Sequence, residues 1–502
     1  MRAFVAACLA ATCAFPLGCK KKPVDPGPDL QIVGESTRIR LEDPVPASTP
    51  WLVDGKVILV AARGETLGIQ VLHRVPGPVS LTITATATLV RGYSVDSYPV
   101  KRASTSMYGG GRTGTFADGL MRANPPLTNP AYFEIDVFSR AEPGEYKGEL
   151  AVGDRKLPVS LTVTTAKLPA TPPRVWAYDD PRELAWMAGA PPDTKATPEP
   201  TLVERACAET FAENGVALMP DLHIGWWPAR KPPENGLKDL PVVIPADPAT
   251  AGDVVKAWIA ATKDTGLVPF AIPIDEPGTP EARAKVVELA KVVRAAGGGP
   301  TTFRFALTDD PRPEYGDLID LYISLRTPRS HGGKQWTYNG APPRAGSMVL
   351  DAETPGARTW GWIAHLWNIP VWYVWDALYW HDRHNRKGAP LPGKPLEVGI
   401  DPTSFEKDED HGNLDGVLAL PGAQGCRKTL RLASIRRGQQ DRVLLEQASA
   451  CDAAKTKAIA EKMIPTALGD APAKGDPPWP TDESAWELAR RELIAIAASC
   501  TK

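Results

Sequence analysis

From about residue 30 to residue 168 the apolar positions fall in short runs rich in β-branched residues, often alternating with polar ones. KVILVAA (56–62), LGIQVLHRV (67–75), VSLTITATATLV (79–90), AYFEIDVF (131–138) and LPVSLTVTTA (157–166) are the clearest. Gly and Pro separate them and no helical period intervenes, which predicts a β-sandwich over 31–168. KLPATPPR (167–174) breaks that pattern, and a different rhythm follows. Strand-like runs at 174–180, 216–223, 267–277, 301–310, 318–325, 347–351, 371–380 and 417–422 alternate with helical periods at 202–215, 255–266, 281–298 and 430–450. Such alternation predicts parallel β/α units, and its length suits a (β/α)8, TIM-like barrel over 174–465. Residues 466–502 read as a linker followed by one amphipathic helix at 483–499. The expected class is therefore multidomain β + α/β, an N-terminal β-sandwich followed by a barrel.

The chain begins MRAFVAACLAATCAFPLGC, with Arg2 ahead of a short apolar stretch. The stretch is too short to span a bilayer and has the order of a secretory signal. Leu17-Gly18-Cys19 resembles the end of a bacterial lipoprotein signal, which implies a signal peptide over 1–18, lipidation of Cys19 and a Pro/Lys-rich tether over 19–30. The expectation is an exported protein, lipid-anchored on the periplasmic or outer face of a bacterial membrane. Cys207, Cys426, Cys451 and Cys500 then meet oxidising conditions, with three pairings open and no CxxC that would suggest a zinc ribbon.

Composition narrows the function. With 57 Lys+Arg against 59 Asp+Glu and no basic stripe, the chain lacks the counterion-releasing surface of a nucleic-acid binder. The 52 Pro exclude a helical bundle, and the 15 Trp outnumber both Tyr and Phe. Twelve of those Trp lie between Trp176 and Trp380, within the expected barrel. HExxH, GxSxG and P-loop motifs do not occur. Gly109-Gly110-Gly111-Arg112-Thr113-Gly114 satisfies G-x-G-x-x-G but opens no helix, so it is read as a turn.

A β/α barrel builds its site at the carboxyl ends of its strands, so acids that follow strand runs are the candidates. Asp179, Asp221 with His223, Asp275-Glu276, Asp309 and Asp376 occupy such positions. A lone Asp there is ordinarily a helix N-cap, but several converging on one rim with indoles nearby suggest a carbohydrate site. Adjacent carboxyls such as Asp275 and Glu276 diverge from a strand and suit substrate assistance better than a facing acid and nucleophile. One acid protonates the glycosidic oxygen while its neighbour orients the sugar's own 2-acetamido group. His381, Asp382 and His384 match no standard metal spacing, and no metal or other cofactor is expected.

The strand-end IDEP (274–277), GKQWTYNGAPP (333–343), ARTWGWIAHLWNIPVWYVWDALYW (357–380) and DGVLALPG followed by LRLASIRRGQQDRVLL resemble the barrel of glycoside hydrolase family 123. They resemble equally its uncharacterised DUF4091 relatives. The stretches 62–74 and 131–169 resemble the β-sandwich of the same proteins, so the likeness runs over about 31–450. It implies a β-N-acetylgalactosaminidase-like retaining hydrolase with Glu276 as general acid/base and Asp275 polarising the acetamide. Trp336, Tyr338, Tyr379 and Trp380 would line the sugar pocket, and Arg358 resembles the arginine of the family's R-x-x-x-W stretch. The alternative is a non-catalytic cell-surface glycan-binding protein with a degenerate barrel. Either way the expected partner is a carbohydrate, and the only membrane contact is the lipid anchor.

Overall fold

The computed structural model describes residues 27–500 apart from 192–193, 233–237, 332, 334, 382–395, 397 and 408. Cys19, the signal and most of the tether therefore lie outside the described residues, as do Asp382 and His384.

The first ten strands form two five-stranded sheets. One orders β1 (Leu30–Gly34), β4 (Glu65–His73), β8 (Ala131–Val137), β6 (Thr88–Val100) and β7 (Gly114–Arg122). The other orders β2 (Leu52–Val53), β3 (Lys56–Arg63), β10 (Arg155–Lys167), β9 (Gly144–Val152) and β5 (Val79–Ile83). The alternation in the sequence becomes the inward faces, and Val57, Leu59, Ile69, Val71, Ile135, Leu150 and Leu161 share one core. The run expected as a single strand over 79–90 is broken between Ile83 and Thr88, and β6 continues to Val100. That length pairs β6 with β8 along one edge and β7 along the other.

Eight parallel strands follow in two four-stranded sheets. The first orders β12 (Val216–Met219), β11 (Val175–Tyr178), β18 (Trp372–Val374) and β17 (Thr337–Tyr338). The second orders β13 (Asp239–Pro241), β14 (Val268–Ala271), β15 (Arg304–Leu307) and β16 (Leu321–Tyr322). At each junction a single-residue parallel bridge, Leu222 with Val242 and Ile323 with Trp336, stands where a continuous barrel ladder would run. The expected regular helix between successive strands is also incomplete. Helices α1 (Pro181–Met187), α2 (Leu202–Ala212), α3 (Pro248–Thr262), α4 (Pro280–Ala295) and α5 (Thr359–Leu366) are present. Short 3-10 turns take the helix's place after β12, β15 and β16. Trp176, Phe270, Phe305 and Trp336 fill the space between the strands, with α3 and α4 packed outside through Val255, Trp258 and Leu289.

Helix α6 (Leu430–Cys451) runs between the two halves, followed by α7 (Ala453–Met463) and, after a connection, α8 (Glu483–Ser499). Helix α6 is buried almost all round because its cations meet sandwich acids. Arg436 reaches Glu35 and Glu134, and Arg437 reaches Glu35 and Glu65. Gly361 and Gly438 let α5 and α6 touch at the backbone, since a Cβ on Gly361 would stand 1.7 Å from the Gly438 carbonyl oxygen. Helix α8, expected from sequence as one amphipathic helix after a linker, packs on α6 and on β1, β3 and β10. Cys207 is bonded to Cys426 and Cys451 to Cys500. No helix among the described residues is long and apolar enough to cross a membrane.

Candidate active site

The carboxyl ends of the parallel strands open on two clefts. The first, of about 510 Å³, is lined by Glu276 and Pro277 beyond β14, Thr308 to Asp310 beyond β15, Ser324 and Arg326 beyond β16, and Tyr338 at the end of β17 with Arg344 beyond it. That volume lies within the range of about 300–1,000 Å³ typical of small-ligand pockets.

Glu276 is the focal residue. Its backbone is left-handed, with φ of 42°, a conformation that costs a side-chain-bearing residue about 1–2 kcal/mol. Two contacts hold it there. The Glu276 N–H donates to Thr308 Oγ1 at 2.9 Å, and the Tyr338 hydroxyl donates to Glu276 Oε1 at 2.8 Å. The Thr308 hydroxyl in turn donates to Asp275 Oδ1 at 2.5 Å, so one threonine ties together both carboxyl-bearing residues. Burial, and then the Glu276 and Asp275 charges, push the Tyr338 phenol far above its ordinary range, which keeps it a donor. Asp275 and Glu276 are themselves exposed.

Asp309 on the same rim is internally paired. Asp309 accepts from Arg312 at 2.7 and 3.1 Å and from the Tyr315 hydroxyl at 2.8 Å. Although partial burial opposes it, these bonds hold the Asp309 carboxyl below its ordinary range. Asp221 and His223 line the second cleft, of about 590 Å³, with Tyr178, Asp180 and Trp226. His223 stands edge-on to Trp226 at 4.8 Å, and its imidazole is shifted down by burial against the Asp221 charge. This cleft ends at Pro273 and the first begins at Glu276, so the two flank the same strand end.

Six expected site residues are interior instead. Asp179 is buried, and its carboxyl is pushed well up by that burial and by Glu204, Asp180 and Asp376. Asp376 is 1% exposed and caps the following turn through Leu378 N–H at 2.9 Å. Trp336 packs edge-on against Phe270 between the strands. Tyr379 lies against Trp375, and Trp380 donates its indole N–H to the Ala419 carbonyl at 2.9 Å. Arg358 is 1% exposed and joins Asp441 of α6 and Glu483 of α8 at 2.7 and 3.0 Å. Its role is to fasten helices together, away from either cleft. The indole excess is largely core: Trp360 stacks on Trp372 and Trp176 on Tyr373. Only Trp226 among the tryptophans lines one of the two clefts.

Several contributors were missed from sequence. Thr308 immediately precedes the Asp309-Asp310 pair, and its position at a strand end was the available signal. Ser106 and Met107 come from the sandwich, in the connection between β6 and β7, and line the same cleft as Glu276. The Gly-rich segment dismissed as a nucleotide loop is what seats them. Gly109, with φ of 89°, leaves no room for a Cβ, which would lie 2.2 Å from Pro342 Cδ of the Tyr338 loop. No sequence rule connects residue 107 to residue 276.

No family model matches the chain, and neither does any curated protein sequence. Among solved structures, a family 123 glycoside hydrolase from Clostridium perfringens matches 93% of this chain and 97% of its own, with a TM-score of 0.56 at 12% identity. That likeness establishes a common fold over nearly the whole of both chains. A family 2 glycosyl hydrolase from Bacteroides cellulosilyticus covers 66% of this chain and 44% of its own at 10% identity, but its TM-score of 0.20 is too low to bear on the fold.

Proposed function

We propose that the protein is a glycoside hydrolase that cleaves 2-acetamido sugars, β-N-acetylgalactosaminides among them, with retention and by substrate assistance. The observation that carries this reading is Glu276, held in a left-handed backbone at a parallel strand end by Thr308 and Tyr338, beside Asp275 and at the edge of a ligand-sized cleft. The shared fold with an enzyme described for glycolipid glycan hydrolysis supports it. The two four-stranded sheets act in this reading as the halves of a (β/α)8-type barrel, with the sandwich over 31–168 supplying one wall of the site.

In the first step Glu276 gives its proton to the glycosidic oxygen, and the bond from that oxygen to the anomeric carbon breaks. The carbonyl oxygen of the substrate's acetamide attacks the same carbon from the opposite face, closing a five-membered ring. Asp275 accepts the acetamide N–H and balances the positive charge that develops there. Glu276, now a carboxylate, takes a proton from water as that water opens the ring, so two inversions give net retention. Tyr338 and Thr308 orient the two carboxyls throughout.

Aryl β-glycosides with and without the 2-acetamido group test this on the wild type and on Glu276→Gln. Turnover should require the acetamide and fall at least about a thousandfold in the variant, given the scale of general acid catalysis and the shared role of this group in both steps. Equal turnover of substrates lacking the acetamide would refute substrate assistance. Absence of turnover with retained sugar binding would instead favour a glycan-binding protein. We further propose that the chain is exported and anchored through Cys19, which its two disulfides support because such bonds persist in oxidising compartments.

A further inference from the structure

We infer that the cleft beside Glu276 receives a glycan bearing an anionic group, a carboxylate or a sulfate ester, and that Arg344 is the residue that binds this group. The inference rests on reading the cleft as a glycan site, and it concerns which glycans enter.

Three guanidinium groups reach this cleft. Two are matched by the protein's own carboxylates: Arg312 by Asp309 through two hydrogen bonds, and Arg326 by Asp310 at 3.2 Å. Asp310 is also engaged by the Ser324 hydroxyl. Arg344 differs. It is half-buried, yet among the described residues no carboxylate, carbonyl or hydroxyl accepts from its guanidinium. Its backbone is nevertheless firmly placed, with the N–H donating to the Ala341 carbonyl at 3.0 Å and the carbonyl accepting from Leu468 N–H at 2.9 Å. Burial and the neighbouring Arg326 charge both disfavour its protonated form, and Asp310 offsets them only in part.

A half-buried cation placed beside a second cation in a cleft, its partial counter-charge Asp310 already engaged by Arg326 and Ser324, is relieved by an anion from outside. Hydroxyl groups of a neutral sugar would accept hydrogen bonds from Arg344 but would leave the repulsion from Arg326 in place. A carboxylate or sulfate removes it, and its geometry fits the planar donor fork of arginine. Arg326 is the flanking charge, since its side chain is 67% exposed and holds Asp310 through one longer contact. Arg344 and Tyr338 belong to the same strand-end connection, so an anion held by Arg344 belongs to the same bound glycan that Glu276 and Tyr338 address.

The test uses the full chain and three aryl β-glycosides: a neutral 2-acetamido galactoside, its 6-O-sulfate, and a disaccharide in which a uronic acid adjoins the same sugar. The wild type should favour one of the anionic substrates over the neutral one, with the preference carried by KM and weakened by added salt. The two anionic arms separate sulfate from carboxylate. Arg344→Gln should lower the anionic-to-neutral ratio of kcat/KM by roughly 10- to 100-fold, the weight of one charge-assisted hydrogen bond, and Arg344→Lys should restore part of it. Equal use of all three substrates by the wild type, or an unchanged ratio in Arg344→Gln, would overturn the inference while leaving the hydrolase reading intact. If nothing is hydrolysed, calorimetric binding of the same sugars to Glu276→Gln with and without Arg344→Gln still decides. Binding of an anionic sugar that depends on Arg344 upholds the inference even as the hydrolase reading fails, and no such binding refutes it.

Discussion

Replacing Arg436 by Met probes the charge cluster that joins α6 to the sandwich. Arg436 is 4% exposed and bonds Glu134 at 2.6 Å, Glu35 at 2.5 Å and the Tyr132 hydroxyl at 3.0 Å. Methionine fills much of the volume but removes a buried positive charge from between two carboxylates. Breaking one side of a buried pair costs about 3–5 kcal/mol, mostly from the carboxylate left behind. Here Glu134 keeps Lys428 at 2.6 Å and Glu35 keeps Arg437 at 2.9 Å, which places the cost near the lower end, at about 3 kcal/mol. With an unfolding entropy of about 2.1 cal/mol/K for each of roughly 450 described residues, that corresponds to a fall in Tm of about 3 °C for a cooperative transition. The effect must depend on pH with a definite sign. Against burial, the Arg and Lys partners hold the Glu35 and Glu134 carboxyls below their ordinary range. A depressed carboxyl contributes stability that is complete above the unfolded pKa, about 4.5, and is lost as pH falls through the lower folded value. The gap between wild type and Arg436→Met should therefore be full at pH 7 and shrink below about pH 4. Circular-dichroism melts and urea titrations across that interval measure it. A variant as stable as the wild type at pH 7, or more stable, would refute the reasoning, since apolar replacement of buried ion pairs can stabilise when the charges are not mutually dependent.

Asp415, fully buried and hydrogen-bonded by the Trp375 indole at 3.1 Å, has its carboxyl pushed up by that burial to about 7. The folded state favours its protonated form, so it erodes stability as pH rises from about 4 to 7. Asp415→Asn should gain in Tm relative to the wild type between pH 5 and pH 8.5, and a difference constant over that interval would contradict the assignment. The Cys207–Cys426 bond closes a separation of 219 residues. Paired Cys→Ser replacement should lower the stability from urea unfolding by about 3–5 kcal/mol under non-reducing conditions, and an unmoved midpoint would argue that the bond restrains nothing in the unfolded chain.

Legibility from sequence differed by element. Strands β3 and β10 were readable because each alternates between a buried and a more exposed face, and β4 and β8 because apolar and polar residues alternate in sequence even though both of their faces are buried. Strand β7 and the part of β6 beyond residue 90 were not identified, since β6 carries polar residues at Ser94, Asp96 and Ser97 and β7 contains Gly119. Asp275 and Glu276 were identifiable from an acidic step at the end of an apolar run, a local signal. The indoles misled because a large aromatic at a strand end and one in a core have the same sequence neighbours. Trp336 and Trp380 differ from a sugar platform only in what packs over them.

By itself the sequence determined the alternation of the early strand runs, the change of rhythm after residue 168 and the acidic step at Asp275-Glu276, because backbone periodicity and adjacent residues are local properties. Only the tertiary structure decided that Thr308 and Tyr338 hold Glu276, that Met107 of the sandwich lines the same cleft, and that Arg358 belongs to a helix junction rather than to either cleft at the strand ends. It also placed Arg344 beside Arg326, with Asp310 as a counter-charge that Arg326 and Ser324 already engage. Electrostatic pairing and burial depend on distance and on the water excluded between groups, and both are set by segments far apart in the chain.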